Sequence, residues 1–141
     1  MRSSITEPKV ETILVVEDDP MVRDLLKKIL ARAGFDVLLA ANGEDGLTAA
    51  FGHDGPICLV IADIVMPRMS GRELVERLRI IRPEARALYI SGYSPAVIAR
   101  HGLADSGVPL LEKPFTPDTV VRAVRTVRRS WRRRTAASLT A

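Results

Sequence analysis

The chain has 141 residues, of which 47 % are hydrophobic and 27 % charged, a composition typical of a soluble globular protein of one domain. Its single cysteine excludes a disulfide framework, and no apolar stretch approaches the roughly 20 residues of a membrane-spanning helix. The formal net charge is +4, and seven arginines between Arg122 and Arg134 concentrate positive charge near the C-terminus. We therefore expect a cytoplasmic protein without a membrane span.

Short apolar runs alternate along the chain with segments of helical periodicity. The predicted strands cover about residues 12–16, 35–40, 57–63, 87–91 and 109–111. The predicted helices cover about residues 20–33, 44–51, 71–82, 96–103 and 117–131. Strict alternation of this kind predicts an α/β protein with a doubly wound, five-stranded parallel sheet.

Local signals mark where several of these helices begin and which faces they bury. Asp19 stands directly before Pro20, which predicts that Asp19 caps the first helix and that proline occupies its first position. Ser70 and Glu73 have the spacing of a capping box for the third helix. In the second helix, the apolar spacing predicts that Phe51 points inward.

Polar side chains stand at the carboxyl ends of the predicted strands. In chain order they are Glu17 and Asp18, then Asp63, Ser91 and Lys113. Parallel strands carry their chemistry on the loops at these ends, so the side chains should meet at one edge of the sheet. Clustered carboxylates repel one another, and Mg²⁺ relieves that repulsion with few protein ligands and several waters. Carboxylates, a hydroxyl, an ammonium group and Mg²⁺ together describe a phosphoryl-transfer site.

Four separated motifs in this sequence resemble the receiver domain of two-component response regulators. They are the segment Ile13 to Pro20, the segment Asp63 to Gly71, Ser91, and the triplet Lys113 to Phe115. The motifs occur in the family's order, with one strand–helix unit between neighbours, and the resemblance runs from about residue 11 to residue 129. It implies the flavodoxin-like (βα)5 receiver fold. We expect a flexible segment at residues 1–10, the receiver domain at 11–130, and a basic, disordered tail at 131–141.

The resemblance implies that Asp63 accepts a phosphoryl group from a histidine of a partner kinase, with Mg²⁺ as the cofactor. Asp18 would bind the ion directly, while Glu17, Asp63 and the backbone carbonyl of Val65 would complete the protein's share of its ligands. No other cofactor is implied.

The resemblance also gives roles to the lysine and the hydroxyl group. Lys113, whose peptide bond to Pro114 is cis in the family, would neutralise charge on the transferred oxygens. Ser91 would donate a hydrogen bond to the bound phosphoryl group. Many receivers carry an aromatic residue where this chain has Leu110, and Tyr93 is the alternative candidate for that mobile ring.

The partners implied are a sensor histidine kinase or a histidine phosphotransfer protein, and a downstream protein target that the sequence does not identify. No recognition helix or aromatic platform accompanies the arginines, so nucleic acid is not expected as a partner. We expect a receiver without its own DNA-binding output domain. It would be no enzyme beyond its own phosphorylation and dephosphorylation.

The sequence leaves two alternative functions. A haloacid-dehalogenase-like phosphatase also uses an aspartate nucleophile and Mg²⁺, but it needs a second aspartate two residues further on, where this chain has Val65. A basic adaptor with a degenerate, unphosphorylated receiver fold is the other alternative. All five strand-end residues are present in this sequence, which argues against a degenerate receiver.

Overall fold

The computed structural model describes residues 10–100, 102 and 107–140, without the side chains of residues 130–140. Within them the strands are β1 (Thr12–Val16), β2 (Asp36–Ala40), β3 (Leu59–Asp63), β4 (Arg86–Ser91) and β5 (Leu110–Glu112). The helices that alternate with them are α1 (Pro20–Arg32), α2 (Gly43–Gly52), α3 (Gly71–Ile81), α4 (Pro95–Arg100) and α5 (Pro117–Thr140). Nearly all of the segment expected to be flexible, residues 1–9, lies outside the described residues, as does Leu103 at the predicted end of α4.

All the strands pair in parallel, in the order β2-β1-β3-β4-β5. This is the strand order of the flavodoxin-like fold, so the predicted doubly wound sheet is confirmed. The chain winds outward in opposite directions from β1 and β3. The carboxyl ends of these two neighbours therefore form the switch point, where such sheets bind their ligands.

Two apolar layers, one on each face of the sheet, hold the helices in place. Alternate residues of a strand point to opposite faces, so Leu14 belongs to the apolar cluster that includes residues of α2, α3 and α4, while Ile13 belongs to the cluster that includes residues of α1 and α5. Every residue of β1 and of β3 is buried. The two strands that end at the switch point are therefore fixed from both sides.

The helix caps follow the sequence signals closely. Asp19 caps α1, where its Oδ1 accepts a hydrogen bond of 2.9 Å from the backbone N–H of Met21. Ser70 caps α3 by accepting from the N–H of Glu73, but the carboxylate of Glu73 pairs with Arg77 at 2.9 Å. These two helix starts were predicted correctly. The carboxylate of Glu73, however, pairs with a residue one turn further along α3 instead of completing the capping box.

Two expectations were wrong. Phe51 is 81 % exposed, because α2 buries the stripe of Gly43, Gly46 and Ala50, and the residue after Ala50 is turned by about 100° away from the sheet. Helix α5 continues to Thr140, beyond its predicted end at about residue 131. None of the described helices is both long enough and apolar enough to cross a membrane.

Candidate functional site

Three carboxylates meet at the carboxyl ends of β1 and β3. Glu17 and Asp18 directly follow β1, and Asp63 is the last residue of β3. One oxygen from each carboxylate lies within 4.8 Å of the others. Glu17 is fully buried and Asp63 is 6 % exposed, whereas Asp18 is open to solvent. The predicted acidic cluster is therefore present, and solvent reaches it from the side of Asp18.

Lys113 extends its ammonium group into this cluster from the end of β5. Its Nζ donates a hydrogen bond of 2.9 Å to Oδ2 of Asp63 and lies 2.9 Å from Oε1 of Glu17. Burial disfavours the ammonium ion, but the hydrogen bond to Asp63 and the close negative charges of Asp63 and Glu17 outweigh it and raise the pKa of Lys113. The Lys113–Pro114 peptide is cis, as the resemblance implied.

Glu17 is the most perturbed group of the cluster. Burial is the main reason why its pKa rises from 4.5 to about 7, and the neighbouring charge of Asp63 adds to the rise. A hydrogen bond of 3.1 Å from the backbone N–H of Asp19 to Oε2, together with Lys113, opposes it. The short approach of Lys113 to Oε1 is an ion pair rather than a well-directed hydrogen bond, so this buried oxygen has no hydrogen-bond partner.

The donor set fits a hard divalent cation. Carboxylate oxygens are the ligands that Mg²⁺ takes in proteins, usually one or two of them together with water. Here three carboxylates face one ammonium group, and the buried Oε1 of Glu17 lacks a hydrogen bond. An added cation would compensate both the excess negative charge and the unsatisfied oxygen.

The backbone around Asp63 holds its carboxylate in place. The N–H of Val65 donates to Oδ1 of Asp63 at 3.1 Å, while Lys113 takes Oδ2. The N–H of Gly71 donates to the carbonyl of Ile64 at 2.9 Å, so α3 begins directly against the end of β3. A methyl group on Gly71 would overlap the carbonyl oxygen of Asp63 and lie 3.0 Å from its carbonyl carbon. Only glycine leaves room for this approach.

Ser91 ends β4 beside the cluster and is fully buried. Asp63 is in register with Ile90, so Ser91 lies one residue beyond Asp63 on the neighbouring strand. Its Oγ accepts a hydrogen bond of 2.9 Å from the backbone N–H of Tyr93, and its carbonyl accepts one of 2.7 Å from the N–H of Lys113. Ser91 therefore connects the end of β4 to the lysine.

The structure shows two contributions to the site that the motifs did not indicate. Gly71 makes room for Asp63, and Arg23 of α1 donates from Nη1 to the backbone carbonyl of Glu17 at 2.8 Å. Gly71 lies inside a quoted motif, but its steric role depends on how closely α3 approaches β3. Contacts to backbone atoms leave no periodic signal in a sequence, so neither role was predictable.

Comparisons with known proteins point to one family. Residues 13–125 match the response regulator receiver domain. The response regulator receiver protein CpdR of Brucella abortus is 33 % identical over 106 residues, which are 75 % of this chain and 87 % of CpdR. The sensor kinase CckA of the same organism is 33 % identical over 105 residues, 74 % of this chain.

Among solved structures, the response regulator protein TrrA from Thermotoga maritima, in complex with Mg²⁺–BeF, is 33 % identical and matches with a TM-score of 0.71. The match covers 84 % of this chain and 99 % of that chain. The chain spans 11 % of the length of CckA and half or less of several other curated relatives. Given the match over residues 13–125 and the shared fold, the chain belongs to the family of response regulator receiver domains of two-component systems.

Proposed function

We propose that this receiver accepts a phosphoryl group on Asp63, from a histidine of a partner protein, in a Mg²⁺-dependent reaction. The observation that carries the proposal is the contact of 2.9 Å between Oδ2 of Asp63 and Nζ of Lys113, inside a cluster of carboxylates at the switch point. A nucleophile, a cation next to it and the ligands for a metal are thereby within reach of one reacting group.

In the transfer, a carboxylate oxygen of Asp63 would form the bond to phosphorus while the bond from phosphorus to the histidine nitrogen breaks. A carboxylate is a weak nucleophile, so the site has to supply orientation and charge compensation. The N–H of Val65 orients one oxygen of Asp63 and Lys113 the other. As the phosphoryl group arrives, the ammonium group of Lys113 would neutralise charge on its oxygens.

We assign the cation to the carboxylates of Glu17, Asp18 and Asp63, with the backbone carbonyl of Val65. When bound, Mg²⁺ supplies positive charge where an anionic phosphoryl group approaches three carboxylates. Asp18 is the exposed member of the set and the group that an entering ion would meet first.

Ser91 is suited to hold the product. Its Oγ already accepts a hydrogen bond from the N–H of Tyr93, so the hydroxyl proton remains available for donation. A phosphoryl oxygen on Asp63 is the acceptor we assign to it. Tyr93 is 48 % exposed beside this residue and is our candidate for the ring that responds to phosphorylation.

We assign the receiver to residues 11–130, with a sensor histidine kinase or a histidine phosphotransfer protein as the donor. The protein would act in the cytoplasm and signal through contacts with a downstream protein, with no role for nucleic acid as a partner. Its only catalysis would be its own phosphorylation and dephosphorylation.

Intact-mass measurement with acetyl phosphate tests the proposal. In Mg²⁺, the wild type should gain one phosphate mass and Asp63→Asn none, while EDTA should abolish labelling. Asp54→Asn, which changes an exposed aspartate of a turn, is the matched control and should label like the wild type.

Equal labelling of wild type and Asp63→Asn would refute the assignment of the acceptor. Absence of labelling in every protein would favour the unphosphorylated adaptor. Membership of the receiver family removes the support for a haloacid-dehalogenase-like phosphatase.

A further inference from the structure

Arg23 is hydrogen-bonded to both ends of the short loop that carries the acidic residues between β1 and α1. Its guanidinium Nη1 donates to the carbonyl of Glu17 at 2.8 Å, and its own backbone N–H donates to the carbonyl of Asp19 at 2.9 Å. Asp18 lies between these two anchored residues. The loop around Asp18 is therefore held on one side by the side chain of Arg23 and on the other by the first backbone bond of α1.

Other hydrogen bonds hold the same loop from different directions. The N–H of Glu17 donates to the carbonyl of Ala40 at 3.1 Å, and Oε2 of Glu17 accepts from the N–H of Asp19 at 3.1 Å. The first bond ties the loop to β2, and the second closes it on itself. The guanidinium of Arg23 adds a tie to α1, the helix that starts at the end of this loop.

We propose that Arg23 is a positioning residue for the cation site: by holding the carbonyl of Glu17, it fixes the turn that directs Glu17 and Asp18 towards Asp63. The inference rests on the proposed function, since it takes the three carboxylates to be the ligands of a divalent cation. Arg23 itself contributes no ligand, because a guanidinium group has donors only.

The charge of Arg23 and its hydrogen bond have opposite effects on cation affinity. A guanidinium charge close to the site repels a divalent cation, so removal of the charge alone would tighten binding. Loss of the hydrogen bond would loosen the turn and weaken binding. Residues that orient metal ligands typically change metal affinity by about 10–100-fold when they are replaced, so the positioning effect should prevail.

Calorimetric titration of the metal-free protein with Mg²⁺ tests this inference. Arg23→Met keeps much of the apolar stem but removes both charge and donors, and it should weaken Mg²⁺ binding by about 10-fold. Arg23→Lys keeps the charge with a shorter reach, and its affinity should lie between those of wild type and Arg23→Met. The control Arg32→Met, at the exposed end of α1, should bind like the wild type.

Urea unfolding in EDTA shows whether Arg23→Met still folds, and its Mg²⁺ affinity then decides between a positioning role and a merely structural one. Wild-type or tighter Mg²⁺ affinity in Arg23→Met overturns the inference, whatever happens to the stability of the variant. If Arg23→Met does not fold, Arg23→Lys decides: weaker binding supports the inference and wild-type binding overturns it.

Asp18→Asn shows whether the cation site itself is assigned correctly. Weaker Mg²⁺ binding in Asp18→Asn together with unchanged binding in Arg23→Met would overturn the role of Arg23 alone. A wild type that binds no Mg²⁺, or an Asp18→Asn that binds it normally, would overturn the proposed cation site and this inference with it.

Discussion

Replacing Glu17 by glutamine should change how the stability of the metal-free protein depends on pH. Burial is the main cause that raises the pKa of Glu17 from 4.5 to about 7. Between these values the folded protein keeps a proton that the unfolded chain has released. The free energy of unfolding of the wild type therefore falls as the pH rises through this window and levels off above pH 7. Glutamine has nearly the same shape and no charge, so the free energy of unfolding of the variant does not fall with pH in this way.

The two pKa values set the size of the effect. The free energy of unfolding falls by about 1.4 kcal/mol for each pH unit between them, and by about 3 kcal/mol over the whole window. Part of this decrease has already occurred at pH 5. We expect the wild type to lose about 2 kcal/mol relative to Glu17→Gln between pH 5 and pH 8. Lys113 is hydrogen-bonded to Asp63 in the wild type and should remain so in the variant, and titrations that the two proteins share cancel in the difference.

Urea unfolding in EDTA, followed by circular dichroism at several pH values from 5 to 8, measures this difference. Glu112→Gln, which changes an exposed carboxylate next to Lys113, is the control and should follow the wild type at every pH. In excess Mg²⁺ the gap at pH 8 should narrow, because the ion stabilises the charged form of Glu17. A difference between wild type and Glu17→Gln that stays constant from pH 5 to pH 8 would refute the reasoning.

Two further predictions concern the surroundings of Asp63. Gly71→Ala should lower the free energy of unfolding by about 1–3 kcal/mol and slow labelling by acetyl phosphate, because the new methyl group would overlap the backbone of Asp63. The control Gly52→Ala, at a position with open space around it, should change neither stability nor labelling. The phosphoryl group should be long-lived, because Val65 offers no side-chain hydrogen bond to an attacking water and the ring of Tyr93, in its proposed role, would obstruct the water's approach. Val65→Asn combined with Tyr93→Ala should therefore speed the loss of the phosphate mass, and an unchanged rate would show that these side chains do not control water access.

Much of the fold was predictable because its signals are local. Apolar runs that end in polar residues define the strands, and Asp19 before Pro20 defines the start of α1. The same signals separated Asp19, which caps the helix, from Asp18, whose carboxylate joins the cluster. The parallel sheet brings residues 17, 63 and 113 together through the strand ends alone, so their proximity followed from the alternation of strands and helices.

The features that escaped prediction depend on distances between elements. Phe51 has the spacing of an inward residue, but Gly46 lets α2 lie close to Val16 of the sheet and bury a different stripe. Arg23 reads as one more basic residue on an amphipathic helix until the path of the loop brings the carbonyl of Glu17 to its guanidinium. Likewise, the complete burial of Glu17 depends on the packing around the switch point, and no local pattern encodes it.

The stability of the metal-free fold and its proposed affinity for a cation are linked through Glu17. A buried carboxylate with one unsatisfied oxygen disfavours the folded state, and the ammonium group of Lys113 is shared between Glu17 and Asp63. The cluster cannot relieve its repulsion by turning Glu17 into solvent, because β1 is buried on both faces and Arg23 holds the loop that follows it. A cation that enters beside Asp18 removes that repulsion. The relief of a repulsion that destabilises the metal-free protein therefore contributes to the binding free energy of the cation. Variants that ease the conflict, such as Glu17→Gln, should accordingly gain stability and lose Mg²⁺ affinity together.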